Sequence, residues 1–546
     1  MIVAIKNIGK YLLKSGEQTK KDIIKNLVGT INGNAIKEIF LINITDEGIK
    51  TEVEEFYEEI VYKALFFEAG NGKKGGGIRA DVYLQEQRNK LLDSINRRVK
   101  YCGLDSYRDE IQKLIMNRIE NYGKNFFAVL LINGKYPFEI LSDKFLDDFY
   151  NVDFKKLKGE HKCHICDNRG EGFNTVTFKF YTNDKEVYGN INEKNKAGTV
   201  ICKECLENII IGKKYAEKYL TTYWMGSNIM FIPHEFNEEI DYVYRDTKLN
   251  DGEKLNLLDN IKTNEEDVLE EIGKGNAETD MIFFKKEAEK TFEIHHSIKS
   301  LLPSRFSFLA EELRMKKINL YWFINKLGAD RYGKDGLEPT KKERFQLIDI
   351  IFSGKKFNRN IFFNRMMKQY KESYYSNEKS KFKISEINKY YNFLVDCGCI
   401  EGGFDYMREY ENYLEIFENN RKYFSTNEKK AWFIIGVTYN YINWKIRKSN
   451  IGEDGKIADR TSLDKNFFFS RKFDFRDFIT FCNLIDDKIR KYRISSGYLI
   501  GMIIEAKELM ANKENKLSTD EAKYLFFWGM DMYFKKISEG EKVEEE

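Results

Sequence analysis

Four of the eight cysteines fall into two C-x-x-C pairs, and this residue type at this spacing is typical of a metal site. Cys163 and Cys166 stand in "CHIC", and Cys202 and Cys205 stand in "CKEC". Each turn directs two thiolates at one point, so two turns can complete a tetrahedral shell about 2.3 Å from a Zn2+ ion. Four sulfur ligands leave no open coordination position. The sequence therefore predicts a structural zinc ion and not a catalytic one.

The segment between the two pairs is longer than in compact zinc modules. It contains 35 residues, against about 15 to 20 in such modules. The alternating stretch "NTVTFKFYT", from Asn174 to Thr182, predicts that this spacer folds as a hairpin. Redox-active cysteines are the alternative, disfavoured because two pairs coincide and no thioredoxin-like βαβ pattern surrounds either one. We expect His161 and His164 to be bystanders, because four cysteines already complete the shell.

Three basic stretches in the second half of the chain alternate cations with aromatic residues, at residues 354–375, 443–450 and 467–478. Such a face can follow a phosphate backbone and offer stacking surfaces to unpaired bases. A helix with an apolar side and a lysine-rich side has the same pattern, so that interpretation stays open. The candidate nucleic-acid contacts are Lys355, Lys356, Arg359, Arg365, Lys368, Lys445, Arg447, Lys448, Arg471 and Lys472.

A glycine-rich stretch near the N-terminus, "GNGKKGGG" at residues 70–77, satisfies G-x-G-x-x-G. A dinucleotide loop needs a strand leading into the glycines, whereas a helix is predicted just before them, from Glu52 to Ala69. The stretch therefore predicts a flexible loop. Its cations Lys73, Lys74 and Arg79 could contact phosphate groups. A solvated surface loop is the equally open alternative.

Composition bounds the class of protein. The chain of 546 residues is too long for one core, and its 90 Lys and Arg residues almost balance its 87 Asp and Glu residues. A net charge of +3 does not by itself indicate a nucleic-acid binder.

The N-terminal segment does not have the pattern of a secretory signal. Its apolar residues Ile5, Ile8 and Leu12 have the spacing of an amphipathic helix. No run approaches the roughly 18 apolar residues of a membrane span. We expect a cytoplasmic protein that does not contact a membrane.

The pattern along the chain predicts an α+β fold. It consists of a mixed N-terminal region with an inserted four-cysteine zinc module, then a mainly helical C-terminal region that ends in a helix bundle. Strands are predicted at residues 36–44, 125–133 and 228–233, an exposed acidic excursion at about 241–280, and helices without strands from about Phe292 onward. The predicted segments are 1–150 (mixed α/β), 151–225 (zinc module), 226–290 (strand and acidic excursion), 291–400 (helical) and 401–546 (C-terminal bundle).

One internal echo predicts two similar helices in that bundle. "STNEKKAWFIIG" and "STDEAKYLFFWG" begin at Ser425 and Ser518 with the same spacing. Each Ser-x-x-Glu is a capping box, in which Ser425 or Ser518 bonds the amide three residues later while Glu428 or Glu521 reaches back. Each closing glycine costs up to about 1 kcal/mol in a helix and is tolerable where another helix packs closely. The alternative is that any two helix starts look alike.

Several motifs occur in the order found in one known family. They are "IVAIKNIGKYL" at the N-terminus, the double C-x-x-C followed by a helix and "IMFIP", "IKSLLPSRF", and the late "AWFIIG" and "YLFFWG". Together they resemble the large subunit of type I-B CRISPR interference complexes, across nearly the whole chain. The motifs are short, so their order and spacing carry the resemblance, and only the cysteine quartet is specific by itself.

The resemblance implies a subunit of an RNA-guided surveillance complex of the Cascade kind. Such a subunit is implied to recognise the protospacer-adjacent motif on double-stranded DNA, help to open it, hold the displaced single strand and recruit a separate helicase-nuclease. It is not itself the nuclease. Its implied partners are the guide RNA complex, with backbone, small and RNA-processing subunits, and the target DNA. The division between motif reading by protein and sequence reading by base pairing is known from other RNA-guided systems.

The resemblance further implies that the C-terminal bundle is similar to the small subunit of the complex, which an internal start near Met407 could also produce. The residues that read the adjacent motif do not carry over, and Gly70 to Arg79 is the candidate. Two other classes stay open: a zinc-containing nuclease or nucleic-acid-modifying enzyme, and a zinc-stabilised RNA-binding protein unconnected with CRISPR.

Overall fold

A computed structural model describes most of the chain, and its contacts divide the chain into two compact units. The described residues are 1–29, 31, 36–69, 72–81, 87–154, 156–173, 200–246, 257–288, 291–329, 331–333, 336–375, 382–406, 408–449, 469–494, 497–514 and 517–532. Unit 1 comprises Met1–Tyr223, Ser227–Asp259 and Ala277–Ser300, and unit 2 comprises Trp224–Gly226, Asn260–Asn276 and Leu301–Glu546. The finer division into five segments stays a prediction.

The first part of unit 1 is built on a four-stranded sheet. Its elements are α1 (Ile2–Lys14), α2 (Lys20–Leu27), β1 (Glu38–Thr45), β2 (Gly48–Glu55), α3 (Ile60–Lys63), β3 (Phe67–Ala69), β4 (Gly72–Lys74), β5 (Gly77–Arg79), α4 (Arg88–Tyr101), α5 (Arg108–Tyr122), β6 (Phe126–Ile132) and α6 (Pro137–Asp148). The sheet order is β2-β1-β6-β5, with β1 parallel to β6. Apolar clusters cover both faces, as expected for a parallel pair with continuous apolar runs.

The rest of unit 1 contains the cysteine pairs and a second four-stranded sheet. Its elements are β7 (Lys156–Lys162), β8 (Arg169–Phe173), β9 (Ile201–Cys202), α7 (Lys203–Tyr219), β10 (Thr221–Trp224), β11 (Ser227–Pro233), α8 (Glu238–Asp246), β12 (Thr279–Ala288) and β13 (Thr291–Leu301). Strands β7, β8 and β9 form a three-stranded sheet in that order, and the larger sheet runs β10-β11-β12-β13.

Helices α1 and α7 cross at a pair of glycines. A Cβ atom on Gly9 would overlap the carbonyl oxygen of Asn208, and a Cβ on Gly212 would overlap that of Ile5. The two helices therefore touch backbone to backbone, which only residues without a side chain permit. The apolar positions Ile5, Ile8 and Leu12 are buried on this face of α1, as the helical spacing predicts.

Unit 2 is mainly helical. Its elements are α9 (Glu265–Lys274), α10 (Pro303–Lys316), α11 (Leu320–Gly328), β14 (Arg331–Gly333), β15 (Gly336–Glu338), α12 (Lys341–Ser353), α13 (Arg359–Tyr375), α14 (Ile384–Asp396), α15 (Tyr413–Asn419), α16 (Asn427–Ser449), α17 (Phe475–Lys491), α18 (Gly497–Ala511) and α19 (Thr519–Asp531). Helices α16 and α19 are the two helices of the internal echo.

The two echo helices pack directly against each other through their glycines. A Cβ on Gly436 would overlap the carbonyl oxygen of Phe526, and one on Gly529 would overlap that of Phe433 and lie 2.9 Å from the amide nitrogen of Val437. The prediction that a close helix neighbour explains these glycines is therefore confirmed. Each glycine removes the side chain that would otherwise separate the two backbones.

The predicted caps of the echo helices are only partly correct. The Ser518 hydroxyl accepts a hydrogen bond from the amide of Glu521 at 3.3 Å, as predicted. The Glu521 carboxylate does not close a capping box there, because it forms an ion pair with Arg359. Helix α16 begins at Asn427, so Thr426 and not Ser425 precedes it directly. That boundary prediction was wrong by one residue.

The motif "IKSLLPSRF" has a structural explanation in unit 2. Arg305, on the first turn of α10, donates hydrogen bonds from its guanidinium to the carbonyl oxygens of Ile351 and Phe352, near the end of α12. It also donates to the carbonyl of Cys397, just after α14, at 3.1 Å. One arginine thus satisfies terminal carbonyls of two helices, which lack partners within their own helices.

The α+β class and three predicted strands are confirmed. Residues 36–44 correspond to β1, 125–133 to β6 and 228–233 to β11. Each is a short run of large apolar side chains, which buried strands favour. The predicted spacer hairpin from Asn174 to Thr182 lies outside the described residues.

The predicted helix from Glu52 to Ala69 was wrong. Strand β2, the short helix α3 and strand β3 occupy that stretch. Strand β2 lies at the sheet edge, where it is bonded only to β1. Its side chains are mostly exposed on both faces, so its charged sequence shows neither the apolar alternation nor the buried run of a typical strand.

The predicted acidic excursion at 241–280 was also wrong where the structure describes it. Helix α9 buries Val268, Leu269 and Ile272. Its first residue, Glu265, is buried, and its carboxylate accepts hydrogen bonds from Trp224 Nε1 at 3.0 Å and from the Leu320 amide at 2.6 Å. The carboxylate therefore caps α11, although burial raises the Glu265 pKa to about 7.

Strands also occur where only helices were predicted. Strand β13 extends from Thr291 to Leu301 beside β12, and β14 pairs with β15. The two-residue period of "TFEIHHSIKSL" is weak, because histidine, serine and lysine alternate with few large apolar residues. Among the described residues, no helix combines the length and the apolar character needed to cross a membrane.

Glycine packing between α16 and α19 gives a stability prediction. We expect Gly436→Ala to lower the free energy of unfolding by about 1 to 3 kcal/mol or more, because a methyl group there forces two helix backbones apart. Denaturant unfolding of the full chain, followed by circular dichroism, measures the change.

Gly501→Ala in α18 is the matched control. A Cβ there would meet no atom within 4 Å, so alanine should leave stability unchanged or raise it by up to about 1 kcal/mol through better helix propensity. If Gly436→Ala were as stable as Gly501→Ala, the close crossing would be wrong.

Candidate metal centre and basic residues

The four predicted cysteine ligands come together at the junction of a β-turn region and a helix. Cys163 and Cys166 lie in the turn between β7 and β8. Cys202 ends β9 and directly precedes α7, and Cys205 lies in the first turn of that helix. Pairing of β8 with both β7 and β9 brings the two halves of the cluster together across the spacer.

The sulfur positions fit a single metal ion. The four Sγ atoms lie within 4.8 Å of one another. The Sγ atoms of Cys166 and Cys202 are 3.7 Å apart, close to the roughly 3.8 Å that separates sulfurs around a tetrahedral zinc with about 2.3 Å bonds. Cys163 and Cys205 are buried, whereas the other two are half-buried. The site can therefore hold a metal ion through four sulfur ligands.

Backbone amides support a thiolate in this cluster. The Ile165 amide donates a hydrogen bond to Cys163 Sγ at 3.4 Å. Burial raises the pKa of the Cys163 thiol, but backbone hydrogen bonds to it, beginning with that of Cys202, outweigh this effect and lower the pKa to about 7. Burial and the neighbouring sulfurs raise the pKa of Cys205. Without a cation, the cluster does not favour four thiolates together, whereas a metal ion would stabilise all of them.

The two nearby histidines bond to backbone. His164 Nδ1 accepts a hydrogen bond from the Val200 amide at 3.3 Å, and the His164 amide donates to the Val200 carbonyl at 2.9 Å. His161 Nε2 lies 3.0 Å from the Lys158 carbonyl. These bonds fix the turn against the strand that precedes Cys202. That the cysteines alone form the ligand set stays a prediction.

Aromatic packing attaches the cysteine module to the first part of unit 1. The Tyr150 ring packs against Phe173 of β8 at 5.5 Å, and its hydroxyl donates to Glu207 of α7 at 2.7 Å. Phe149 packs against Phe67 of β3 at 4.6 Å. Phe154 contacts both Phe149 and Tyr150, so aromatic contacts run from Phe67 of β3 to Phe173 of β8.

The glycine-rich stretch is tightly packed and is not a flexible loop. The described residues 72–74 and 77–79 form β4 and β5. Gly75 has φ +81°, and a Cβ there would overlap the Leu65 carbonyl oxygen. A Cβ on Gly76 would lie 2.7 Å from Pro137 Cγ, and one on Gly77 would overlap the Phe127 ring. The glycines are required for packing, so the predicted loop was wrong over these residues.

Two of the three cations predicted in this stretch are held by carboxylates. Lys74 is buried, with Nζ 2.5 Å from Asp153 Oδ2 and 4.4 Å from the centre of the Phe149 ring. Arg79 forms an ion pair with Asp81 at 2.5 Å. The side chain of Lys73 lies outside what the structure describes. Lys74 thus stabilises the fold from the inside and does not offer its charge to solvent.

Several cations predicted in the second half are also paired. Lys355 and Lys356 are exposed, but their Nζ atoms lie 2.6 Å from Asp349 and 3.1 Å from Glu401. Two further pairs are Arg365 with Glu343 at 3.5 Å and Arg471 with Asp477 at 3.2 Å. Among the other candidates, Lys368 and Lys445 are half-buried, Lys472 is exposed, and the side chains of Arg447 and Lys448 lie outside the described set.

Arg359 is half-buried among the helices of unit 2. Its guanidinium pairs with Glu521 and lies over the rings of Tyr423 at 5.0 Å and Tyr391 at 5.5 Å. Burial lowers the Arg359 pKa, but the nearby Tyr423 and Glu521 outweigh it and raise the pKa. Glu521 also lies 3.6 Å from Lys429 Nζ. Arg359 therefore links α13 to α19 inside unit 2.

Two family models match the chain, in order, over regions that include the metal cluster and the helices of unit 2. The central-domain model of the CRISPR-associated protein TM1802 matches residues 160–301, and the C-terminal-domain model of the same protein matches residues 318–544. No curated protein matches the chain. Since the two matches together span more than half of its length, the chain belongs to the family of the CRISPR-associated protein TM1802.

Proposed function

We propose that the chain works in CRISPR defence as the large subunit of a type I-B interference complex. The observation that carries this proposal is the ordered match of two domains of one CRISPR-associated family. The sequence resemblance to type I-B large subunits supports the finer assignment. The four cysteines of the chain lie within the first matched region, and both echo helices, α16 and α19, lie within the second.

In this role the subunit recognises the protospacer-adjacent motif, helps to open the target DNA and holds the displaced strand. Base pairing between guide RNA and target reads the sequence, which leaves the protein to bind backbone and a short motif. The partners are the backbone, small and RNA-processing subunits with their guide RNA. A separate helicase-nuclease cuts the target, so the chain itself is non-catalytic.

We propose that the metal at the cysteine cluster is zinc and that its role is structural. Four thiolates at tetrahedral spacing are the ligand set that structural zinc prefers, and they leave no position for water or substrate. Bound zinc would fix the turn that contains Cys163 to the start of α7. This would order the module and would supply no reaction step.

Affinity purification from native-like cells tests the assignment to a surveillance complex. We expect the tagged chain to bring down short RNAs with repeat-derived ends, together with the other complex subunits. Sequencing of the bound RNA and mass spectrometry of the bound proteins give the readout. Unrelated RNA, or none, would contradict the proposal and favour an enzyme or a general RNA-binding protein.

Metal analysis tests the zinc proposal. We expect about one zinc per purified chain, and loss of that zinc in a variant with both Cys163→Ser and Cys202→Ser, because one residue from each pair is removed. Local protease cutting within 156–173 should increase in the variant, since structural zinc contributes binding energies of about 10 to 16 kcal/mol in zinc-finger peptides.

Cys102→Ala is the control for the metal analysis, because Cys102 is buried outside the cluster. It should retain the metal at the wild-type ratio. Native protein free of zinc, or a double variant with full zinc occupancy, would refute the assignment.

A further inference from the structure

A short basic stretch joins α17 to α18. The sequence "KIRKYRISSGY", from Lys488 to Tyr498, contains four Lys or Arg residues and no Asp or Glu. Lys488 is buried, and its Nζ donates a hydrogen bond to Asn443 Oδ1 at 2.9 Å. The other three, Arg490, Lys491 and Arg493, are exposed. We call these three and the exposed Tyr492 and Tyr498 the basic turn.

The three exposed cations of the basic turn differ from the cations predicted from sequence. Among the described residues, no carboxylate oxygen lies within 4.0 Å of their charged nitrogens. Asp487, one turn earlier on α17, is exposed and stays outside that distance. By contrast, seven of the thirteen candidates, Lys74 and Lys355 among them, pair with carboxylates. The basic turn therefore presents positive charge that the described part of the protein does not neutralise.

Two exposed tyrosines stand close to these cations in the sequence. Tyr492 is 37% exposed and Tyr498 is 47% exposed. Lys491 Nζ lies 5.6 Å from the centre of the Tyr492 ring, so charge and ring occupy the same surface. Accessible aromatic faces stack on unpaired bases, whereas a duplex hides its base faces except at its ends.

Helix α18 begins inside the basic turn, at Gly497. A Cβ on Gly497 would meet no atom within 4 Å, so the backbone there is open to a ligand. The first amides of a helix lack partners within the helix and carry partial positive charge. They add to the same field as Arg490, Lys491 and Arg493.

We propose that the basic turn binds the sugar-phosphate backbone of an unpaired nucleic-acid strand. Arg490, Lys491 and Arg493 contact phosphates, and Tyr492 and Tyr498 stack against bases. The inference rests on the proposed function and names where unit 2 would hold a strand. Single-stranded DNA and RNA share this chemistry, and the test below separates them.

The test measures binding of labelled oligo(dT), oligo(U) and a DNA duplex to the full chain by fluorescence anisotropy at several salt concentrations. The variant carries Arg490→Gln, Lys491→Gln and Arg493→Gln. We expect its Kd for one of the single strands to rise on the order of tenfold or more. Each lost phosphate contact lowers the slope of log affinity against log salt by about 0.7, so the slope should fall by about 2.

The matched control removes the same charge elsewhere in unit 2. It carries Lys342→Gln, Arg421→Gln and Lys422→Gln, three exposed cations outside the basic turn. We expect its affinity to stay within about twofold of wild type. The melting temperatures of both variants should match that of wild type, because all six positions are exposed.

A second variant tests the stacking contribution. We expect Tyr492→Leu with Tyr498→Leu to weaken single-strand binding by about 5- to 150-fold per stacked base, while duplex affinity stays unchanged. The strand with the larger loss, DNA or RNA, is the one that the basic turn binds. Equal losses of affinity for the single strand and the duplex would contradict the proposed stacking of the tyrosines on bases.

The outcomes separate this inference from the proposed function. If the chain purifies with guide RNA and binds single strands, but the arginine-lysine variant behaves like its control, the basic turn is not the strand contact and the inference alone fails. If neither the chain nor its purified complex binds a single strand, both fail. A salt slope that does not change would equally overturn the phosphate contacts.

Discussion

Backbone contact between glycine-bearing helices is the constraint on which both units depend. In unit 1 the contact is Gly9 against Gly212, and in unit 2 it is Gly436 against Gly529. A side chain at any of these positions would overlap a carbonyl of the facing helix. The contact fixes the crossing point of each helix pair, because only one register places glycine opposite glycine. Neighbouring side chains then pack around a position that is already set.

These helix crossings position half of the cysteine cluster in unit 1 and an ion pair in unit 2. Helix α7, fixed against α1, carries Cys205 in its first turn, so the first crossing positions half of the metal cluster. Helix α19, fixed against α16, carries Glu521, which receives Arg359 from α13. In unit 2 the second crossing thus places a carboxylate where a third helix can be attached. The position of the helices therefore determines which charged side chains can pair.

Sequence patterns predicted what depends on neighbours along the chain. Runs of large apolar residues predicted β1, β6 and β11, and cysteine spacing predicted a cluster whose sulfurs do come together. The loop predicted at the glycine-rich stretch was wrong, because the sequence shows where side chains are missing but not which atoms of other elements pack into that space. Leu65, Pro137 and Phe127 approach those glycines from other elements. No local pattern contains that information.

Several cations predicted to contact nucleic acid pair instead with carboxylates, and the sequence does not show those partners for the same reason. Arg359 pairs with Glu521, 162 residues later, and Lys74 pairs with Asp153, 79 residues later. In a chain with nearly equal numbers of acidic and basic residues, most cations can find such a partner on folding. Aromatic neighbours are therefore a poor guide to binding here, because they also surround buried ion pairs. A run free of acidic residues at a helix end is more informative about charge that stays unpaired, since such a run has few local partners.

The four-cysteine cluster lies between the start of α7, which packing in unit 1 holds in place, and the turn between β7 and β8, which has less support. Cys202 and Cys205 stand at the start of α7, which the glycine crossing anchors. Cys163 and Cys166 stand on a turn whose nearest support is a small sheet and the backbone bonds of His164. A metal bound at the four sulfurs would therefore act mainly by ordering that turn. It would extend the rigid part of unit 1 outward from a helix that the glycine crossing already holds.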